Sequence, residues 1–295
     1  MKKIIPLSIF CIFMFFTGFS QETTITAGGQ EAELAYNQGV QNFMNQDYAG
    51  AIAELTKAIE FKPDFGLAYY NRGVIKNELN DYEAAIADLT LAAQYLPDMP
   101  KVLFARGFAK VNTGDYSGAV DDLTTAIGKG YKGANAYYYR GIALMKQEKF
   151  DEAISDFTKA IELKSDYAYA YHDRGSVKRL KGNLEGAESD YRAAVEKDPN
   201  LYFAYNNLGA VKNQLKKYDE AVEAYTECLK INAEYFVAYN GRGLAKYSQA
   251  LEFLSKNNSN DADTMFNRAI EDYKKAINFK NTYADAHNNL GMVYL

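Results

Sequence analysis

Beyond residue 31 the chain is a succession of short amphipathic segments. In each, apolar residues recur three and four apart and so line one side of a helix, and a brief polar break separates one segment from the next. The pattern also repeats as a whole. Gly39, Gly73, Gly107, Gly141, Gly175, Gly209 and Gly243 stand 34 residues apart, and Ala51, Ala85, Ala119, Ala153, Ala187 and Ala221 follow the first six by twelve. A fixed period of this length predicts an all-α solenoid of helical hairpins, each with an apolar side that only its neighbours can bury.

Counted from seven residues before its glycine, the units are 32–65, 66–99, 100–133, 134–167, 168–201 and 202–235. A longer seventh unit, 236–283, and a half unit, 284–295, follow. Places 4, 7 and 8 lie on one side of the first helix of each unit, and the second helix carries its apolar side at places 17, 20, 24 and 27. Place 17 is Tyr48, Tyr82, Tyr116, Phe150, Leu184 and Tyr218; place 24 is Leu55, Leu89, Leu123, Phe157, Tyr191 and Tyr225. The small residues at 8 and 20 open the groove that two helices need in order to approach within roughly 8–10 Å. A glycine inside a helix costs about 0.5–1 kcal/mol relative to alanine, so the close approach must return more than that.

This constellation resembles the tetratricopeptide repeat family, whose pattern has an aromatic at 4, Leu at 7, Gly at 8, Tyr at 11, Ala at 20, an aromatic at 24, Ala at 27 and Pro at 32. Here Tyr69, Tyr137, Tyr171, Tyr205 and Tyr239 hold place 4, with Ala35 and Leu103 as departures, and Pro63, Pro97 and Pro199 hold place 32. The resemblance runs from Ala32 to the end and implies a right-handed superhelix of tandem helix-turn-helix units.

Two departures from that pattern carry information. Place 7 is arginine in five units, and place 23 of the same units is aspartate. In an antiparallel hairpin turning near place 15 these two places stand level. The residues therefore predict an Arg–Asp brace inside each hairpin: Arg72 with Asp88, Arg106 with Asp122, Arg140 with Asp156, Arg174 with Asp190, and Arg242 with Asp272. The sixth unit has Leu208 and Ala224 instead. The second departure is the 14 extra residues of the seventh unit. They predict two helices each lengthened by about two turns, a tip at Ser255–Asp261, and an N-cap at Asp261 or Asp263. Such a hairpin is either a tolerated insertion or a docking spur carrying Leu251, Phe253, Leu254 and Phe266. The closing Met292-Val293-Tyr294-Leu295 lacks the polar outer face of a cap, so either the array continues or that end associates, self-association included.

Ahead of the repeats, Met1–Ser20 has Lys2 and Lys3, an apolar run from Ile4 to Phe16, and Gly18 and Ser20 placed for a cut before Gln21. This is the layout of a Sec signal peptide, 1–20, and the run is too short and interrupted for a membrane anchor. A polar, glycine-containing lead-in, 21–31, follows. Export is expected, to the periplasm, the cell envelope or the exterior, with no transmembrane span in the mature chain. Without Lys2 and Lys3 the formal net charge moves from −5 to −7, which argues against nucleic acid as a partner. Once Cys11 leaves with the leader, Cys228 has no partner for a disulfide, and its alanine-type slot makes it a buried thiol.

No arrangement for catalysis, metal or cofactor emerges, so the chain is expected to be non-enzymatic. Gly128-Lys129-Gly130-Tyr131-Lys132-Gly133 matches a dinucleotide motif in letters, but it follows a helix and joins two units, where a connector is expected. His172 and His287 lie in different units without a ligand set.

The family resemblance implies that first helices line the concave surface, through places 2, 5, 6, 9, 12 and 13. Place 5 reads Tyr36, Tyr70, Phe104, Tyr138, His172, Asn206, Asn240 and Asn288. Place 9 adds Val74, Phe108 and Ile142, and place 6 adds Asn71 and Asn207. The amino-terminal half of this groove is aromatic and apolar, the carboxyl-terminal half rich in asparagine. Aromatic anchors would bury a partner's apolar side chains and the amides would hold an extended backbone. The basic clamp with which part of the family grips a terminal carboxylate is missing. The expected function is thus a protein or peptide scaffold. Two other readings are a structural subunit of an envelope assembly, docking through its ends and the seventh unit, and a glycan-binding accessory.

Overall fold

The computed structural model describes residues 27–294, and the predicted signal peptide and the first part of the lead-in lie outside them. The described residues form 15 α-helices in two compact units, 27–149 and 150–294. The first unit holds α1 (Ala27–Met44), α2 (Tyr48–Phe61), α3 (Gly66–Glu78), α4 (Tyr82–Tyr95), α5 (Pro100–Thr113), α6 (Tyr116–Gly128) and α7 (Ala134–Lys146). The second holds α8 (Phe150–Leu163), α9 (Ala168–Leu180), α10 (Leu184–Lys197), α11 (Tyr202–Gln214), α12 (Tyr218–Ile231), α13 (Phe236–Ser255), α14 (Ser259–Phe279) and α15 (Ala284–Val293). Each odd helix through α5, and each from α9 to α13, pairs with the even helix after it, and each pair packs on the next through its second helix.

The core of every pair is built from one small and one bulky residue. Gly107 of α5 lies so close to α6 that an added Cβ would sit 2.7 Å from Leu123 Cγ, and at Gly243 it would sit 2.7 Å from the Tyr273 ring. The second contact has survived the 14-residue insertion, because the extra residues lie distal to it. At the corresponding places of other pairs, Ala51, Leu55, Ala85, Leu89, Ala187 and Tyr191 are fully buried.

From first to second helix the chain passes through a single left-handed residue, at place 15 in the regular units. It is glycine at Gly114 and Gly182, but Gln46, Asn80, Glu148 and Lys216 elsewhere, with Asn257 at the tip of the long hairpin, and these five have φ between 58° and 62°. Side-chain caps close the start of several second helices: Asp47 Oδ1 accepts from the Gly50 amide and Asp115 Oδ1 from the Gly118 amide, both at 2.9 Å.

Two boundaries differ from the sequence expectation. Helix α1 starts at Ala27 and so takes in residues 27–31, which were expected to be lead-in. First-turn amides need no intrahelical acceptor, so a polar turn continues the helix once fully buried Ala32 anchors it. The N-cap of α14 is Asn258, whose side chain accepts from the Asp261 amide, in place of Asp261 or Asp263.

Candidate functional site

The arginines at place 7 are fixed before anything else on the first helices. Arg72 donates from Nε and Nη2 to the two carboxylate oxygens of Asp88, at 2.8 and 2.7 Å, and from Nη1 to Thr56 Oγ1 at 2.9 Å. Its guanidinium lies over the Tyr69 ring, 5.6 Å from the centroid, and Lys76 Nζ closes on Asp88 at 2.8 Å. The same set recurs as Arg106, Asp122, Thr90 and Lys110, as Arg174, Asp190, Thr158 and Lys178, and as Arg242, Asp272, Thr226 and Lys246. Arg140 reaches Thr124 Oγ1 at 3.1 Å and lies over Tyr137. Asp156 is buried on α8.

The brace therefore joins one hairpin to the one before it as well as its own two helices. The threonine carries a readable signal: place 25 is threonine wherever an arginine follows at the next place 7, and it is Arg192 where Leu208 follows. In that unbraced unit, buried Lys212 turns to Glu188, at 3.4 Å, and to Glu220, while Arg192 and Lys217 complete the pairing of Glu188. Lys217 and Lys212 hold the Glu188 carboxyl below its usual range against the opposing effect of its burial.

The predicted groove residues divide into two groups. Asn71, Val74, Phe104, Phe108, Tyr138, His172, Asn206 and Asn240 are buried. Packing among the helices of each unit leaves them little surface for a partner. The reason is repeated in three places, where a place-6 amide donates to the place-5 group of the preceding unit. Asn71 Nδ2 donates to Tyr36 Oη at 2.8 Å, Asn207 Nδ2 to His172 Nε2 at 2.8 Å, and Asn289 Nδ2 to Asn240 Oδ1 at 2.9 Å. His172 accepts at Nε2, so its Nδ1 hydrogen faces Asp173 Oδ1 at 2.9 Å, and the ring stands edge-on to Phe203. At 1% exposure it is a core residue.

The second group keeps exposure. Tyr36, Tyr70, Ile142 and Asn207 are half-buried and Asn288 is exposed. Burial raises the Tyr36 phenol, and the Asn71 bond offsets part of that.

Three features lie outside this row. Cys228 is fully buried, and burial pushes its thiol up to about 12, which makes it inert toward solvent reagents. The segment Gly128–Gly133 runs from the end of α6 to the start of α7, without the strand a dinucleotide loop requires. The long hairpin has helices of 20 and 21 residues against 13 and 14 in the preceding pair. It exposes Leu251 and Leu254 beside a cleft of about 450 Å³ lined by Lys217, Gln249, Phe253, Lys256 and Met265. Among the described residues no cluster has the makings of a metal site, and no helix is long and apolar enough to cross a membrane.

Comparison with known proteins places these features. Family models described as tetratricopeptide repeat or TPR repeat match residues 36–100, 134–167, 168–201, 201–275 and 266–295. Among curated proteins none matches significantly. Of solved structures, the C-terminal part of a TPR repeat-containing protein from Cytophaga hutchinsonii is 19% identical, with a TM-score of 0.65 over 86% of this chain and 99% of that one. A tetratricopeptide repeat protein from Parabacteroides merdae is 18% identical, with a TM-score of 0.61 over 90% and 100%. YrrB, a TPR protein with an unusual peptide-binding site, is 24% identical, with a TM-score of 0.53 over 62% and 95%. At these identities the likeness is one of fold.

Proposed function

The chain is a tetratricopeptide repeat protein, and from that premise we propose that it is a non-enzymatic scaffold that takes an extended peptide segment of a partner along its first helices. The observation that carries this reading is what stays accessible on the first helices of each unit after packing has taken its share: half-buried Tyr36, Tyr70 and Ile142 in the first, and half-buried Asn207 and exposed Asn288 in the second. Half-buried tyrosines held in place by their neighbours supply rigid apolar contact at small entropic cost, and primary amides both donate to and accept from a peptide backbone. The peptide-binding site of YrrB, a protein of the same fold, supports it.

The test is crosslinking in the native host, identification of the partner, and its affinity for a Tyr36→Ala, Tyr70→Ala double variant. A loss of about thirtyfold is expected, the effect of removing a binding hot spot. Undiminished binding would overturn the reading. Phe104 and Tyr138 are left intact because they are core residues. A second reading, docking through the long hairpin, has one observation behind it, the exposure of Leu251 and Leu254 beside the cleft. Deleting Ser248–Asp261 abolishes partner binding under that reading and spares it under the first. The leader pattern in the first 20 residues supports export, to the periplasm, the envelope or the exterior. A protein isolated from its host that begins at Gln21 agrees with export; an intact Met1 counts against it.

A further inference from the structure

Glu78 is the one acid at place 13, the end of the first helix, where the other units have Met44, Asn112, Lys146, Leu180, Gln214 and Ser248. It is half-buried, and no hydrogen bond or ion pair reaches it among the described residues. The lysines of its own and the next first helix are occupied, Lys76 by Asp88 and Lys110 by Asp122. Beside it runs a row of rings: Tyr82 meets Phe108 edge-on at 6.1 Å, and Phe108 meets Tyr139 edge-on at 4.8 Å. Glu78 is within electrostatic reach of both tyrosines, since its charge helps to raise the Tyr82 and Tyr139 phenols. Tyr82 is half-buried, and its hydroxyl donates to Asn80 Oδ1 at 2.6 Å. A carboxylate short of a cation, next to aromatic rings, matches the two things a basic side chain seeks on leaving water, an opposite charge and a π face.

We propose that Glu78 and Tyr82, backed by Phe108 and Tyr139, form a subsite for a lysine or arginine side chain of the bound peptide. The inference rests on the peptide-scaffold reading and deepens it by naming the chemistry of one partner residue. Burial lifts the Glu78 carboxyl to about 7 with no cation to oppose it. A bound cation favours the ionised form, so affinity should rise with pH through that value, about tenfold from pH 6 to pH 8 for a site that binds only when ionised. The titratable groups acting on it are Tyr82 of α4 and Tyr139 of α7, both neutral in that range because burial raises them.

The experiment selects random dodecapeptides displayed on phage against the whole chain, then measures affinities of the enriched, histidine-free peptides for the wild type, Glu78→Gln and Glu83→Gln. Expected are a basic residue at one fixed position of the enriched set and a loss of about tenfold or more in Glu78→Gln at pH 8. The pH dependence should vanish in that variant, and exposed Glu83 should be indifferent. Peptides that lose affinity in the Tyr36, Tyr70 double variant but show no basic preference overturn the subsite and leave the scaffold intact. An equal loss in both glutamine variants also overturns it, since that is the effect of general negative charge. Failure to enrich any peptide overturns both. Glu78→Gln keeps the shape of the side chain and removes a charge that burial disfavours. Its folded-state pKa lies above the unfolded one, so the wild type loses stability as pH rises from about 4.5 to about 7 and the variant does not. Misfolding therefore does not cloud the result, and thermal unfolding at pH 8 verifies it.

Discussion

Arg72 is held on every polar side at once, by the two oxygens of Asp88, by Thr56 from the preceding hairpin and by the Tyr69 ring. Asp88 in turn faces two cations, Arg72 and Lys76, with only 5% of its side chain exposed. That asymmetry sets the expected effect of each deletion. Arg72→Met leaves Asp88 paired with Lys76 and should cost about 2 kcal/mol, whereas Asp88→Asn leaves two part-buried cations facing one neutral amide and should cost about 3–5 kcal/mol. A double-mutant cycle by urea unfolding should give a clear coupling energy; a value indistinguishable from zero would show that the brace only fills space. The pair was legible because places 7 and 23 stand level in a hairpin. Its threonine was legible too, from place 25, but emerges only when units are compared with their predecessors. The burial of Asn71, Phe104, His172 and Asn240 was not legible. One face of a first helix must serve both a partner and the adjacent first helix, and periodicity within a repeat does not say which claims a given side chain.

Among elements, the turns hold the clearest local strain. A non-glycine residue in the left-handed region costs about 1–2 kcal/mol, less for asparagine, whose side chain tolerates that region. Gln46 is exposed and has φ of 62°. Gln46→Gly should therefore stabilise the chain by about 0.5–1 kcal/mol, the relief of strain being partly offset by the freer unfolded chain, and Asn80→Gly should gain less. Urea midpoints measure both, and a destabilised Gln46→Gly would contradict this account of the turns. The turn position could be counted from the repeat, yet its conformation could not, since glycine marks it only at Gly114 and Gly182. The long hairpin shows the same division. Its extra two turns per helix follow from the spacing of Gly243 and Ala269, while the cap at Asn258 depends on backbone detail within the polar tip.

For the whole molecule the question is how far a local change is felt. In a repeat array each hairpin contacts only its neighbours, so stability is close to a sum of unit and interface contributions, and unfolding need not be all-or-none. Cys228 provides a gauge in one place: its thiol is fully buried on α12 and pushed up to about 12, so a thiol reagent reacts only when that part of the second unit opens. With Cys11→Ser as the background, Cys228 is the only cysteine. Arg242 donates to Thr226 on the same helix as Cys228, whereas Arg72 lies in the other unit. Arg242→Met should therefore speed labelling of Cys228 about tenfold or more, the ratio that corresponds to about 1.4 kcal/mol of lost local stability. Arg72→Met, although it removes a brace of the same construction, should leave the rate within about twofold while lowering the overall urea midpoint. Equal acceleration by the two variants would mean that the chain opens as a single block. The array would then transmit a disturbance from one unit to the other, and a peptide held on the first helices of one unit would alter the stability of both.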